Sequence, residues 1–353
     1  MNKNRIIIYL LLFSCVANAK EYALKKWVFT AYGEVYYSYD FSNPANHEKP
    51  DFLCNYKRHN ELALNMGIAK ATWSYLKMRA NFALMAGTYP QYNLSSEPLW
   101  AQHIYEANIG FRLSSKRNLW LDAGIFSSHI GFESAIGADC WTLTRSLLAE
   151  NTPYYESGLK LYYVSPNKKC SLGLLYLNGW QRIARIDAQQ KPCGGLQFTY
   201  QLHPKLLFNY SNFIGSVQPD SLDALRTYHN VYLQVHVDGR LSATLGYDLA
   251  RDRNARHQYA YAYSPVGILR FKCNKEYTMA FRAERYYDPQ EVMIKTKTGN
   301  GFVVNGYSMN LDRKLTDNSN FRIEAKVYES SSAIFSSSSR QNVSLTTCIT
   351  VKW

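Results

Sequence analysis

The sequence predicts an all-β fold, a single transmembrane antiparallel β-barrel of about 16 strands, the even count that closed outer-membrane barrels of one chain favour. Three observations predict it. The chain opens on an export leader. Apolar and polar residues then alternate from Trp27 to the C-terminus. The connections between the alternating segments are short and long in turn.

The leader comes first. Lys3 and Arg5 precede the apolar run Ile6 to Val16, and Ala17-Asn18-Ala19 reads as a small-x-small cleavage site. Residues 1–19 are therefore expected to be a signal peptide and 20–353 the barrel. Cys15 after Leu12-Phe13-Ser14 offers a competing reading as a lipid-modified cysteine, which Phe13 fits poorly. Beyond Val16 no window approaches the roughly 18 to 20 apolar residues of a spanning helix.

A pleated strand turns alternation into one greasy and one polar face. In the last segment Val343, Leu345, Ile349, Val351 and Trp353 share a face with Thr347, and Asn342, Ser344, Thr346, Cys348, Thr350 and Lys352 take the other. Phe321, Ile323, Ala325 and Val327 alternate in the same way with Arg322, Glu324, Lys326 and Tyr328. In chain order the strands are expected at 27–41, 59–73, 76–88, 102–113, 118–127, 154–165, 168–179 and 192–203. They continue at 205–215, 227–237, 240–251, 258–273, 275–288, 301–313, 319–329 and 340–353. Short links at Ser74-Tyr75, Pro166-Asn167, Pro204, Asp238-Gly239 and Asn274 alternate with long ones, of which 128–153 is the longest. Outer-membrane barrels have short periplasmic turns and longer outer loops, so both termini are expected on the periplasmic side. Closure has a physical cause: lipid offers no hydrogen bonds to a free sheet edge. A soluble sandwich would have to bury faces that here carry charge.

Composition agrees with this reading. Among 353 residues, 29 Tyr, 16 Phe and 7 Trp are a heavy aromatic load for interfacial girdles. Trp27, Tyr37, Tyr39, Tyr75, Trp120, Tyr163, Tyr200, Tyr287 and Trp353 fall near expected strand ends. The formal charge of +13, less Lys3 and Arg5, leaves +11. In an exported chain this points to acidic headgroups or anionic solutes and away from nucleic acid. Much of the surplus is expected in connections, at Lys168-Lys169 and at Arg251, Arg253 and Arg256, where anion selectivity and contact with outer-leaflet headgroups are both open readings.

The expected lumen wall carries Glu34, Lys77, Arg79, Glu106, Asp122, Lys160, Asp248, Arg282, Glu284, Asp312, Arg322, Glu324 and Lys326. Their signs are mixed, which suits a hydrated interior and also cross-strand ion pairs that brace it. No metal or cofactor is implied. Cys54, Cys140, Cys170, Cys193, Cys273 and Cys348 show no CxxC spacing, and no GxSxG or HExxH accompanies His129 or His229.

The chain resembles the outer-membrane β-barrel porins of the OmpL-like type, especially those of the Bacteroidetes. The likeness rests on Gly33 to Phe41, Gly124 to Glu133, Asn151 to Gly158, Leu177 to Trp180 and Arg282 to Asp288. It implies a barrel in the outer membrane of a Gram-negative bacterium and a porin-type channel for passive diffusion of small hydrophilic solutes. It names no solute and no functional residue. By analogy with general porins, whose loop after the fifth strand folds inward, Glu133, Asp139 and Arg145 in 128–153 are candidate constriction residues. Trp353 resembles the aromatic terminus that barrel-assembly machinery reads. Outer-membrane lipid and lipopolysaccharide are the remaining expected partners. A loop-filled structural or adhesive barrel is the alternative, with an outer-membrane hydrolase behind it.

Overall fold

The computed structural model describes residues 25–353 apart from 255, 336 and 337. The expected signal peptide, residues 1–19, lies outside them. Sixteen strands follow in order: β1 (Lys26–Asp40), β2 (Leu62–Tyr75), β3 (Met78–Ala86), β4 (Ile104–Arg112), β5 (Asn118–Ser127), β6 (Tyr155–Val164), β7 (Cys170–Leu177) and β8 (Cys193–His203). The second half is β9 (Leu206–Gly215), β10 (Leu225–His236), β11 (Leu241–Arg253), β12 (Tyr259–Lys272), β13 (Tyr277–Asp288), β14 (Phe302–Lys314), β15 (Ser319–Ser330) and β16 (Gln341–Lys352). Two short helices, α1 (Thr88–Asn93) and α2 (Leu147–Glu150), lie in connections.

Each strand pairs antiparallel with its chain neighbours, and β1 pairs with β16 from Tyr32↔Lys352 to Asp40↔Ser344, so the sheet closes. Aromatic and β-branched residues suit a pleated surface, and closure leaves no edge to satisfy in lipid. The two faces separate as the alternation requires. Val35, Leu64, Phe82, Ile109, Leu174, Leu245, Phe281 and Ile349 are exposed on the outside, while Glu34, Ser38, Asn209, Asn230, Asp248, Asn310, Glu324 and Thr346 are buried on the inside.

The seven connections at the end with the termini have two to five residues, and seven of the eight at the other end have nine or more. That places the short end in the periplasm. Two expectations shift as a result. The turn between β2 and β3 is at 76–77 rather than 74–75, with Leu76 at φ 52, and it carries Lys77 out of the wall into an exposed periplasmic turn. Lys168 and Lys169 also occupy a periplasmic turn, while Arg251 and Arg253 belong to β11. All six cysteines among the described residues are free thiols.

The interior is filled from the extracellular end by loops. The first loop, 41–61, and the third, 128–154, both reach inside. Leu53, Ile130 and Leu147 join wall residues Phe126, Leu177, Phe213, Tyr228 and Phe302 in an apolar cluster. On the first loop, Phe52 meets Phe302 edge-on with ring centroids 4.9 Å apart.

Candidate functional site

The third loop leaves β5 through a clamp. Both ring nitrogens of His129 face acceptors, Nδ1 at 2.8 Å from Glu156 Oε2 and Nε2 at 2.7 Å from the Asn212 carbonyl, a pattern that calls for imidazolium. Burial alone would push this imidazole down, but Glu156 and the Asn212 carbonyl outweigh it and hold its pKa above the ordinary value. The His129 carbonyl accepts from Gln197 Nε2 at 3.0 Å and from Ser211 Oγ at 2.7 Å. Gly195 leaves room for the ring: a Cβ there would stand 2.6 Å from His129 Nε2.

From there the loop crosses to the opposite wall, where inward charges of β13 to β15 hold its backbone. The Arg282 guanidinium donates to Thr142 Oγ1 at 2.8 Å, Thr144 O at 2.7 Å, Thr144 Oγ1 at 3.0 Å and Glu324 Oε1 at 2.9 Å. Glu324 in turn accepts from Thr144 N at 2.6 Å, and Glu284 from Leu147 N at 2.6 Å. Arg322 donates to the carbonyls of Gly137 at 2.6 Å and Cys140 at 3.0 Å, and Lys326 to that of Arg145 at 2.9 Å. A loop has no sheet ladder for its peptide groups, so charged wall side chains satisfy them instead.

Within the loop, Arg145 is fully buried and donates to the carbonyls of Ser134 at 2.7 Å, Leu143 at 2.6 Å and Ala135 at 2.9 Å, folding the segment upon itself. Glu133 accepts from Ser146 N and Ser146 Oγ, and Ser146 caps α2 by accepting from Ala149 N at 3.2 Å. The first loop is locked to the third. Tyr56, also fully buried, donates to Glu34 and lies 3.4 Å from Arg145 Nη1, while Glu150 accepts from Cys54 N at 2.7 Å and Asn55 N at 3.2 Å. Any side chain at Gly137 would collide with the Glu34 carboxylate and the Tyr56 hydroxyl. Buried beside this lock, the Lys49 ammonium is pushed down to about 8 by desolvation, against the pull of Asp40, Glu150 and Glu324.

The wall from β2 to β6 is different. Lys70 pairs with Glu106, and Arg79 holds Asp122 through two bonds of 2.8 and 2.5 Å while stacking 4.3 Å above the Trp120 ring. Lys160 lies 4.5 Å above the Phe126 ring. The Arg79 side chain keeps 34 % of its exposure and Lys70 30 %, against 0 % for Arg282 and Glu324. Charges facing the loop are consumed as anchors, and the bases Lys70 and Arg79 facing away from it keep about a third of their exposure.

The structure therefore redistributes the expected residues. Arg79, Glu106, Asp122, Lys160, Arg282, Glu284, Arg322, Glu324 and Lys326 do face the lumen. Lys77 does not. Trp120, expected in a lipid-facing girdle, is instead the inward platform under Arg79. Of the three constriction candidates Glu133 and Arg145 are interior to the loop packing, so they shape the loop rather than line an aperture. Asp139 alone keeps about half its side chain exposed, 46 %, and pairs with Lys352. Tyr56, Glu150 and Asn310, whose Oδ1 accepts from Leu143 N at 3.0 Å, were not singled out in the sequence.

Residues 26–352 match the family described as "Putative beta-barrel porin-2, OmpL-like". The chain belongs to this family. A porin of this kind is an outer-membrane channel in contact with membrane lipid and solutes, and family and fold point to a channel rather than to an enzyme. No curated protein matches in sequence. Solved porin barrels share the fold. An anion-selective porin from Comamonas acidovorans has a TM-score of 0.61 at 9 % identity, over 94 % of this chain and 100 % of that one. OmpF of Salmonella typhi, in complex with daunomycin, has 0.61 at 10 %, over 93 % and 98 %. The outer-membrane channel DcaP of Acinetobacter baumannii has 0.60 at 7 %, over 93 % and 97 %. At such identities these likenesses speak for the fold alone.

Proposed function

We propose that this porin is a passive diffusion channel for small hydrophilic solutes, with the water path running between the third loop and the wall from β2 to β6. The observation that carries this reading is the asymmetry of the wall: the loop is tied to β13, β14 and β15, and the bases Lys70 and Arg79 on the opposite side stay about a third exposed. A cavity of about 210 Å³ lies on that side of the loop, between Tyr105, Ser127, Phe132, Glu133, Pro153 and Tyr154. In this reading Asp139 is the constriction residue, Glu133 and Arg145 hold the loop in place, and the protein performs no chemical step. Trp353 serves as the signal to the assembly machinery, and the exposed apolar band meets lipid and lipopolysaccharide.

One observation favours a second reading, a structural or adhesive barrel closed by its loops: the apolar cluster of Leu53, Ile130 and Leu147 spans the extracellular half of the lumen. Swelling of proteoliposomes in sugars of graded size separates the two. A channel gives rates that fall with solute size, and the closed barrel gives no swelling in any sugar.

A further inference from the structure

Toward the periplasm, four carboxylates of the lumen are each taken by a base. Glu106 is held by Lys70, Asp122 by Arg79, and Asp139 by Lys352. Asp312 is held by Arg322 through bonds of 2.7 and 3.0 Å. On the same part of the wall the inward cations Arg112, Lys160 and Arg270 have no carboxylate within ion-pair distance among the described residues, and no anchored loop carbonyl accepts from them. Lys160 rests on the Phe126 ring, and the Arg270 guanidinium is 5.9 Å from the Trp141 ring. The Nε donors of Arg112 and Arg270 are buried without a partner.

These three lie at two depths around the periplasmic vestibule. Arg112 ends β4 at the periplasmic rim, and Arg270 lies two residues inside the end of β12. Lys160 is four residues inside the end of β6, which a strand tilted by about 40° places roughly 10 Å deeper. The rim itself has the same sign. The periplasmic turns hold eight Lys and Arg, including Lys77, Lys116, Arg117, Lys168 and Lys169, against the three carboxylates Asp238, Glu276 and Asp317. The extracellular connections, by contrast, balance at eleven of each sign. The surplus positive charge of the chain is thus absent from the outer loops and present at the periplasmic mouth. A narrow lumen with low-dielectric walls focuses the field of unpaired charges inside it, whereas charges on exposed turns are screened within about 8 Å at physiological salt.

From this we infer that the periplasmic vestibule selects for small anions, with Arg112, Lys160 and Arg270 as the residues that set the preference. The inference rests on the channel reading. The test is the reversal potential of the full-length protein in planar bilayers under a tenfold potassium chloride gradient. Wild type is expected to pass chloride over potassium by about 3- to 10-fold. The triple variant Arg112→Gln, Lys160→Gln, Arg270→Gln is expected to lose that preference at similar conductance, while Lys168→Gln with Lys169→Gln keeps it. A cation-preferring or unselective wild type overturns the inference, as does a triple variant that still prefers chloride.

Absence of any conductance instead counts against the channel reading, and the charge assignment is then read separately by fluorescence. The emission of Trp141, taken as the difference between wild type and Trp141→Phe, should be quenched more by iodide than by caesium, and equally by both in the triple variant. Equal quenching in wild type contradicts the inference whether or not the barrel conducts.

Discussion

Replacing Arg282 by methionine removes the strongest tie between the third loop and the wall. Its guanidinium makes four hydrogen bonds of 2.7 to 3.0 Å, three of them to Thr142 and Thr144, and it neutralises Glu324 and Glu284, both buried. Removing one partner of a buried ion pair costs roughly 3–5 kcal/mol, because the remaining charge stays uncompensated. Spent on loop docking, about 3 kcal/mol raises the undocked population by roughly a hundredfold. Trypsin reads this directly. Arg145 is the sole Lys or Arg of the loop and is fully buried in the docked state, so cleavage after it reports release. The fragment ending at Arg145, followed by mass spectrometry, should appear about a hundred times faster in the variant when opening is rapid relative to cleavage. The double variant Arg282→Met with Glu324→Leu leaves one fewer buried charge stranded but also removes the acceptor of Thr144 N, so it should recover only part of the resistance. An Arg282→Met protein cut after Arg145 no faster than wild type would refute the anchoring role.

Three further outcomes are expected. Tyr56→Phe removes the donor to buried Glu34 and should weaken docking of the first loop by about 1–3 kcal/mol, seen as faster trypsin cleavage after the buried Lys57; an unchanged rate would remove Tyr56 from the lock. The His129 clamp should depend on pH. Its pKa is raised in the folded state, so the stabilisation is fully present below the ordinary value of 6.5 and is lost as pH rises through the higher folded value. Hydrogen exchange at Ile130 and Gly131, corrected for the intrinsic pH dependence, should therefore show less protection at pH 9 than at pH 6, with no such difference in His129→Gln. Deleting Trp353 removes an exposed indole and the pair of backbone bonds with Ala31 at the β1 and β16 seam, 2.9 and 3.3 Å long. The folded band in heat-dependent gel mobility should fall; insertion at the wild-type level would argue against the assembly role.

The barrel was legible in the sequence because a period of two and the alternation of connection length are local signals. A strand facing lipid on one side and water on the other writes its orientation into each pair of residues. Turn positions were legible to within about two residues, and that margin decided Lys77, since the extra pair in β2 moved it from wall to turn. Trp120 was misread because proximity to a strand end does not reveal the face, whereas its parity with Asp122 does. The inward course of the third loop was expected by analogy, but the use of its residues was not. Arg145 reads as a pore charge in sequence, and only the carbonyls of Ser134, Ala135 and Leu143 turning back upon it show that it is an internal brace. Tyr56 had no signal at all, because its partners Glu34 and Arg145 are distant in sequence and a loop carries no periodicity to mark an inward residue.

Conductance decides most directly whether this barrel is a channel. Full-length protein that shows the heat-dependent mobility shift of a folded barrel should, in planar bilayers, produce discrete current steps, and these should grow when Arg282→Met releases the third loop. A folded barrel that gives no steps at either polarity, with wild type and Arg282→Met alike silent, would contradict it.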